Sequence, residues 1–172
     1  MPTYVALLRA VNVGGTGTLA MSKLKSISDD AGFANVETYI ASGNVVFDSK
    51  AKPTAVKAAL EARLAAALKK PVGVVVRTAA EIAGVLAANP FAKAKADPKY
   101  TYVFFLDAAP PSDALDTVKG QTDERLARGK REIFVHYPSG MGRSKLRIPA
   151  ASAGTSRNMN TVAKLAEMAA RR

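Results

Sequence analysis

Two polar clusters hold the residue types from which a binding site is made. Arg9-Ala-Val-Asn12-Val-Gly14-Gly15 closes an apolar run near the start, and Thr155-Ser-Arg157-Asn158-Met-Asn160-Thr161 opens the last helical pattern. A guanidinium offers a planar fork of donors, an amide pairs a donor with an acceptor, and glycines before a helix leave backbone N–H groups free, so both clusters suit an anion or a polar ligand. Ser42-Gly43-Asn44, between two β-prone runs, joins them as a third polar element. The ligand-binding set read from the sequence is therefore Arg9, Asn12, Gly14, Gly15, Ser42, Asn44, Arg157, Asn158 and Asn160. Each also has a structural role open to it. The glycines serve a tight strand-to-helix loop, Asn12 can bond its own backbone, Ser42-Gly43 is hairpin chemistry, and Thr155 or Ser156 is a natural helix N-cap. Arg9 and Arg157 are not needed for those roles. Replacing either by alanine is expected to abolish binding, with folding nearly intact for Arg157→Ala and a stability cost for Arg9→Ala, whose cation lies in an apolar strand.

Reaction machinery is not evident. Cysteine is absent, which removes disulfides, thiol nucleophiles and thiolate-bound zinc. His136 is the one histidine and reads as an ordinary strand residue, so no metal ligand set and no catalytic residue is assigned; an enzyme whose cofactor the residues do not identify stays open as a further reading. P-loop, nucleophile-elbow and His-Glu-x-x-His patterns are missing. Gly15-Thr-Gly17-Thr-Leu-Ala20 matches a dinucleotide fingerprint, with Glu37 about 20 residues on. A parallel third strand would have to follow, whereas the Ser42-Gly43 turn makes a hairpin.

The elements that must position these residues follow from periodicity. Tyr4 to Val11 has the length of a buried strand, broken only by Arg9; Met21, Leu24, Ile27 and Ala31 mark a helix that Gly32 caps; Val36 to Ala41 and Asn44 to Phe47 form a hairpin. Pro53 leads into a helix with the stripe Val56, Leu60, Leu64 and Leu68, and Val72 to Arg77 is a further strand. The order βαββαβ over residues 1 to 77 is the ferredoxin-like arrangement, in which the first and third strands are antiparallel neighbours. The end of the first strand, the Ser42-Gly43 turn and the start of the first helix then share one sheet edge.

Thr78-Ala-Ala-Glu81 fits a capping box for a helix that Asn89-Pro90 ends. Strands at 102 to 106 and 132 to 137, a short helix at 112 to 119, a short strand at 145 to 148 and a final helix from about Asn158 to Arg171 complete a smaller α/β half. The expected organisation is a domain at 1–88, a linker at 89–99 and a second domain at 100–172. No repeat at a fixed period is visible.

The 172 residues carry a net charge of +11, concentrated late: residues 119–172 hold 12 Lys/Arg against 4 Asp/Glu. Such a balance favours acidic partners such as phosphates or nucleic acid, or gives a solvated surface. No run approaches the length of a membrane span and no signal pattern opens the chain, so the expected location is cytoplasmic, without a membrane partner.

These motifs together resemble the domain of unknown function family 1697, a bacterial family. The resemblance rests on Tyr4 to Gly15, on Met21 with Leu24, on Thr38-Tyr-Ile-Ala-Ser-Gly-Asn-Val45 and on Thr155 to Val162, and so spans nearly the whole chain. It implies an α/β protein with a ferredoxin-like first half, and no established activity. The family pattern favours Trp between the last two asparagines, where this chain has Met159, so aromatic stacking is lost there. The functional expectation is a small anionic or phosphorylated ligand held in a cleft built from the Arg9-Asn12-Gly14-Gly15 loop and the Arg157-Asn158-Asn160 helix start. A module for RNA or single-stranded nucleic acid and a protein-interaction domain are the alternatives; the third strand, Asn44-Val-Val-Phe-Asp48, lacks the paired aromatics of RNA-recognition motifs.

Overall fold

The computed structural model describes residues 1–12 and 18–172. It is a mixed α/β structure whose described elements include two antiparallel four-stranded sheets and four α-helices. The chain divides into two compact units, Met1–Ala83 with Leu165–Arg172, and Gly84–Lys164. The division falls a few residues before the 89–99 segment that composition marks as a linker, and residues 165–172 group with the first unit instead of with the 100–172 half.

In the first unit the strands are β1 (Thr3–Leu8), β2 (Ala34–Tyr39), β3 (Asn44–Asp48) and β4 (Val74–Thr78), with α1 (Met21–Asp30) and α2 (Pro53–Leu68) as crossovers. The sheet order is β2-β3-β1-β4, so β1 is central and antiparallel to both neighbours. Alternation explains the layering. Tyr4, Ala6 and Leu8 of β1 and Val45 and Phe47 of β3 face one core with Leu24 and Ile27 of α1 and Val56, Leu60 and Leu64 of α2. Phe33 stacks on Phe47 at 4.2 Å between ring centroids. Val5, Leu7 and Val46, on the opposite face, are also fully buried.

One carboxylate gathers distant parts of this unit. Asp48 accepts from Thr3 Oγ1 at 2.6 Å, from Asn35 Nδ2 at 2.8 Å and from Arg172 Nη1 at 3.3 Å, and Arg172 Nη2 reaches Glu37 at 3.0 Å. Burial opposes ionisation of Asp48, but these donors outweigh it and hold the carboxyl below its usual range.

α3 (Ala79–Ala87) begins with the reciprocal pair the sequence predicts: the Glu81 carboxylate accepts from Thr78 N at 2.9 Å and Thr78 Oγ1 accepts from Glu81 N at 3.1 Å. In the second unit β5 (Thr101–Phe105), β6 (Arg125–Arg128), β7 (Glu132–His136) and β8 (Thr155–Asn158) form a sheet in the order β6-β7-β5-β8, and α4 (Met159–Ala170) follows β8. The expected helix at 112–119 is a series of turns, because Ala114 alone of its residues is buried and so short a helix cannot offset its nucleation cost. The expected strand at 145–148 is reduced to one bridge, Lys119 to Arg147.

The two sheets share one plan down to register. Thr3-Tyr-Val5 opens β1 and Thr101-Tyr-Val103 opens β5. Thr3 faces Asp48 where Thr101 faces His136, and Val5 faces Arg77 where Val103 faces Arg157. Each of these arginines is buried and donates from Nη1 to the carbonyl of the residue before it, Val76 at 3.2 Å and Ser156 at 2.8 Å.

Candidate functional site

The candidate residues of the first unit collect at the end of β1. Pairing stops at Leu8, so Arg9 leaves the sheet and is exposed instead of lying within an apolar strand; its amide bonds Gly73 O at 2.9 Å. Beyond it the backbone enters the left-handed region twice, at Ala10 (φ 54°) and Asn12 (φ 55°), and it does so again at Ile40 (φ 50°) on the facing turn. These conformations are uncommon without glycine, most of all for a β-branched residue, and they hold only where surrounding bonds impose them. Asn12 supplies those bonds. Its Nδ2 donates to Leu19 O at 2.7 Å and Ala41 O at 2.8 Å, and its Oδ1 accepts from Leu19 N at 2.5 Å. A single amide thus ties the end of β1 to the approach to α1 and to the β2–β3 turn, and Asn12 serves the edge by fixing it.

The turn itself spans residues 40–43, longer than the two-residue turn expected. Gly43 (φ 89°) presses against β1: its carbonyl accepts from Leu8 N at 2.8 Å, and a Cβ there would lie 2.7 Å from Val11 Cγ2 and 2.9 Å from Leu8 Cβ. Asn44 is buried and donates to Tyr39 O and to Ser42 Oγ, at 2.8 and 2.9 Å. Asn12, Ser42 and Asn44 are therefore brought to one sheet edge with Arg9. Gly14 and Gly15, and Gly17 of the dinucleotide pattern, lie outside the described residues. The antiparallel β2–β3 pair removes the parallel strand that such a pattern needs.

Arg157, Asn158 and Asn160 stand at the β8–α4 junction of the second unit. The segment expected to open the helix is strand through Asn158, because it pairs with β5. The N-cap is Asn158, whose Oδ1 accepts from Thr161 N at 2.9 Å, and neither Thr155 nor Ser156 has that role. Arg157 is 5% exposed and donates to Thr155 Oγ1 at 2.7 Å as well as to Ser156 O. Burial pushes its guanidinium down to about 10, so it stays charged at neutral pH. Asn160 is exposed in the first helical turn, and Met159 is a buried core residue.

His136 and Glu124 of the second unit are bound into the fold. His136 is buried, hydrogen-bonds Thr101 Oγ1 at 2.9 Å through Nδ1, and is held below the usual histidine range by burial and then by Arg125. Among the described residues no cluster of His, Asp and Glu could hold a metal ion, and no helix is long and apolar enough to cross a membrane. Glu124 accepts from Ser144 Oγ, Thr122 N and Thr122 Oγ1, and the Ser144 and Thr122 donors hold its carboxyl at about 2 against a usual 4.5. Stability from this site is complete above pH 4.5 and is lost as pH falls toward 2. Glu124→Gln is expected to cost ~1–3 kcal/mol at neutral pH and to flatten this acid limb in chemical denaturation at stepped pH.

The family model for a protein of unknown function (DUF1697) matches residues 1–134. Among solved structures, the conserved bacterial protein SP0830 from Streptococcus pneumoniae is similar, with a TM-score of 0.81 and 25% sequence identity over 99% of each chain. A search of curated proteins gives no match.

Proposed function

Since the chain belongs to the DUF1697 family of proteins of unknown function, we propose its role from its own residues: it binds a small anionic or phosphorylated ligand at the β1 edge, with Arg9 as the principal donor. The observation that carries this reading is the investment made in presenting Arg9. Arg9 leaves a central strand as an exposed residue, and two left-handed non-glycine residues and the three bonds of the Asn12 amide shape the chain directly after it. Strain of this kind is retained where a binding group must be held ready. Ser42 adds a hydroxyl on the same edge, and Gly14 and Gly15 enter by sequence. Arg157, Asn158 and Asn160 form the second part of the proposal, in their own unit, with exposed Asn160 as its ligand-facing group and Arg157 as its support. The order βαββαβ and the sheet order β2-β3-β1-β4 support a ferredoxin-like reading of the first unit, and cytoplasmic residence completes the proposal.

Base stacking on the first sheet is disfavoured by burial: β1 and β3 are covered on both faces, leaving no open platform of the kind RNA-recognition motifs use. The test is a thermal-shift series with inorganic phosphate, pyrophosphate and nucleotides. A ligand at about 100 times its dissociation constant adds ~2.7 kcal/mol, a shift of several degrees for a chain of this size. Arg9→Ala is expected to reduce the shift by the share this edge contributes while changing the ligand-free melting point little, since the residue is exposed. A shift of undiminished size in Arg9→Ala would refute the reading.

A further inference from the structure

We propose a second anion site, confined to the second unit and independent of the Arg9 reading: the pocket lined by Ser144, Lys145, Leu146 and Arg147 takes a phosphoryl group, with Lys119 facing it across the Lys119–Arg147 bridge. The pocket is open and has a volume of about 480 Å3, within the ordinary range for ligand sites. Lys119 and Arg147 exchange both backbone hydrogen bonds, at 2.9 and 2.7 Å. In an antiparallel bridge this places the two side chains on one face, opposite each other. Like charges so placed destabilise the pair. Lys145 adds a third cation, and all three side chains are exposed without an acidic partner among the described residues. Three unneutralised cations at a pocket, two of them forced together by backbone pairing, are the arrangement that a dianionic group relieves.

The walls are held rigid, which limits the ordering cost of binding. Ser144 Oγ donates to Glu124 and accepts from Leu146 N at 3.1 Å. Gly120 (φ 73°) lets the Lys119 segment lie so close that a Cβ there would overlap the Lys145 carbonyl oxygen. The nearby acids are already engaged: Glu124 is buried behind Ser144, and Asp123 accepts from Ser139 Oγ at 2.6 Å.

The phosphoryl group belongs either to a small molecule or to a nucleic-acid backbone, and one experiment separates the sources. The full chain, Lys145→Ala/Arg147→Ala, Arg9→Ala and the combination of all three substitutions are titrated with pyrophosphate and with a short single-stranded RNA over a range of salt concentrations. Pyrophosphate binding that persists in Arg9→Ala, and that weakens about tenfold or more when Lys145→Ala/Arg147→Ala is added to Arg9→Ala, supports the site with a small ligand. RNA binding without pyrophosphate binding, with a salt slope lowered by about 1.4 in the double variant, supports it with a polymer. Binding of neither probe, or binding that Lys145→Ala/Arg147→Ala leaves unchanged with and without Arg9→Ala, overturns the proposal. Lys119→Thr supplies a second readout: it is expected to raise the melting temperature while weakening the same probe, whereas a purely structural bridge would show no such opposition.

Discussion

Gly43→Ala is expected to lower stability by roughly 3–5 kcal/mol, a large part of what a domain possesses. The substitution has two costs. At φ 89° any side chain is strained, and the new Cβ would enter the space of Val11 Cγ2 and Leu8 Cβ, which belong to the packed end of β1. Gly32→Ala is the matched control: it has the same backbone sign, φ 88°, but nothing lies within 4 Å of its Cβ, so it carries only the conformational part, ~1 kcal/mol. Denaturant melts of the two variants separate strain from overlap. Equal losses would show that β1 and the turn can part without cost, and the rigid edge around Arg9 would then have no basis.

Arg157→Ala is expected to cost ~2–4 kcal/mol, against the near-neutral effect that its place in a polar motif suggests. The side chain is almost wholly buried, and its removal leaves a void and takes a donor from Thr155 Oγ1 and Ser156 O. Arg157→Lys is expected to restore little, because an ammonium is more strongly hydrated than a guanidinium and is costlier to bury at this site. The check is the unfolding midpoint of each variant beside Arg9→Ala, whose midpoint is expected within about 0.5 kcal/mol of the parent. A wild-type midpoint in Arg157→Ala would assign this guanidinium to a ligand instead of to the fold.

Local signals were readable in the chain and long-range ones were not. The Thr78–Glu81 capping box, Pro53 at the start of α2 and Gly32 after α1 depend on neighbours within a turn, and each is present as read. β8 escaped because Thr155-Ser-Arg-Asn158 has no apolar alternation; it becomes a strand through pairing with β5, about 50 residues away. β6, Arg125-Leu-Ala-Arg128, is polar at both ends and rests on β7 alone for its pairing. At the site, clustered Arg, Asn and Gly pointed to the β1 edge, but the partners of Asn12, the carbonyls of Leu19 and Ala41 and the amide of Leu19, are backbone groups that no residue type advertises. The shared plan of the sheets left one trace, Thr-Tyr-Val at residues 3–5 and 101–103, too brief to stand as a repeat without the matching register.

The meeting of Thr3, Asp48 and Arg172 on one carboxylate bears on the order of events during synthesis. A ribosome delivers β1 through β4 early, and the second unit follows whole before residue 172 is made. The first sheet can form its pairs by then, yet the Asp48 charge lacks its cation and the β2–β3 edge lacks the Arg172 contacts with Glu37 and Val46. The half that is translated first is therefore completed last, and a nascent chain stalled short of residue 172 would present that edge open to chaperones and proteases.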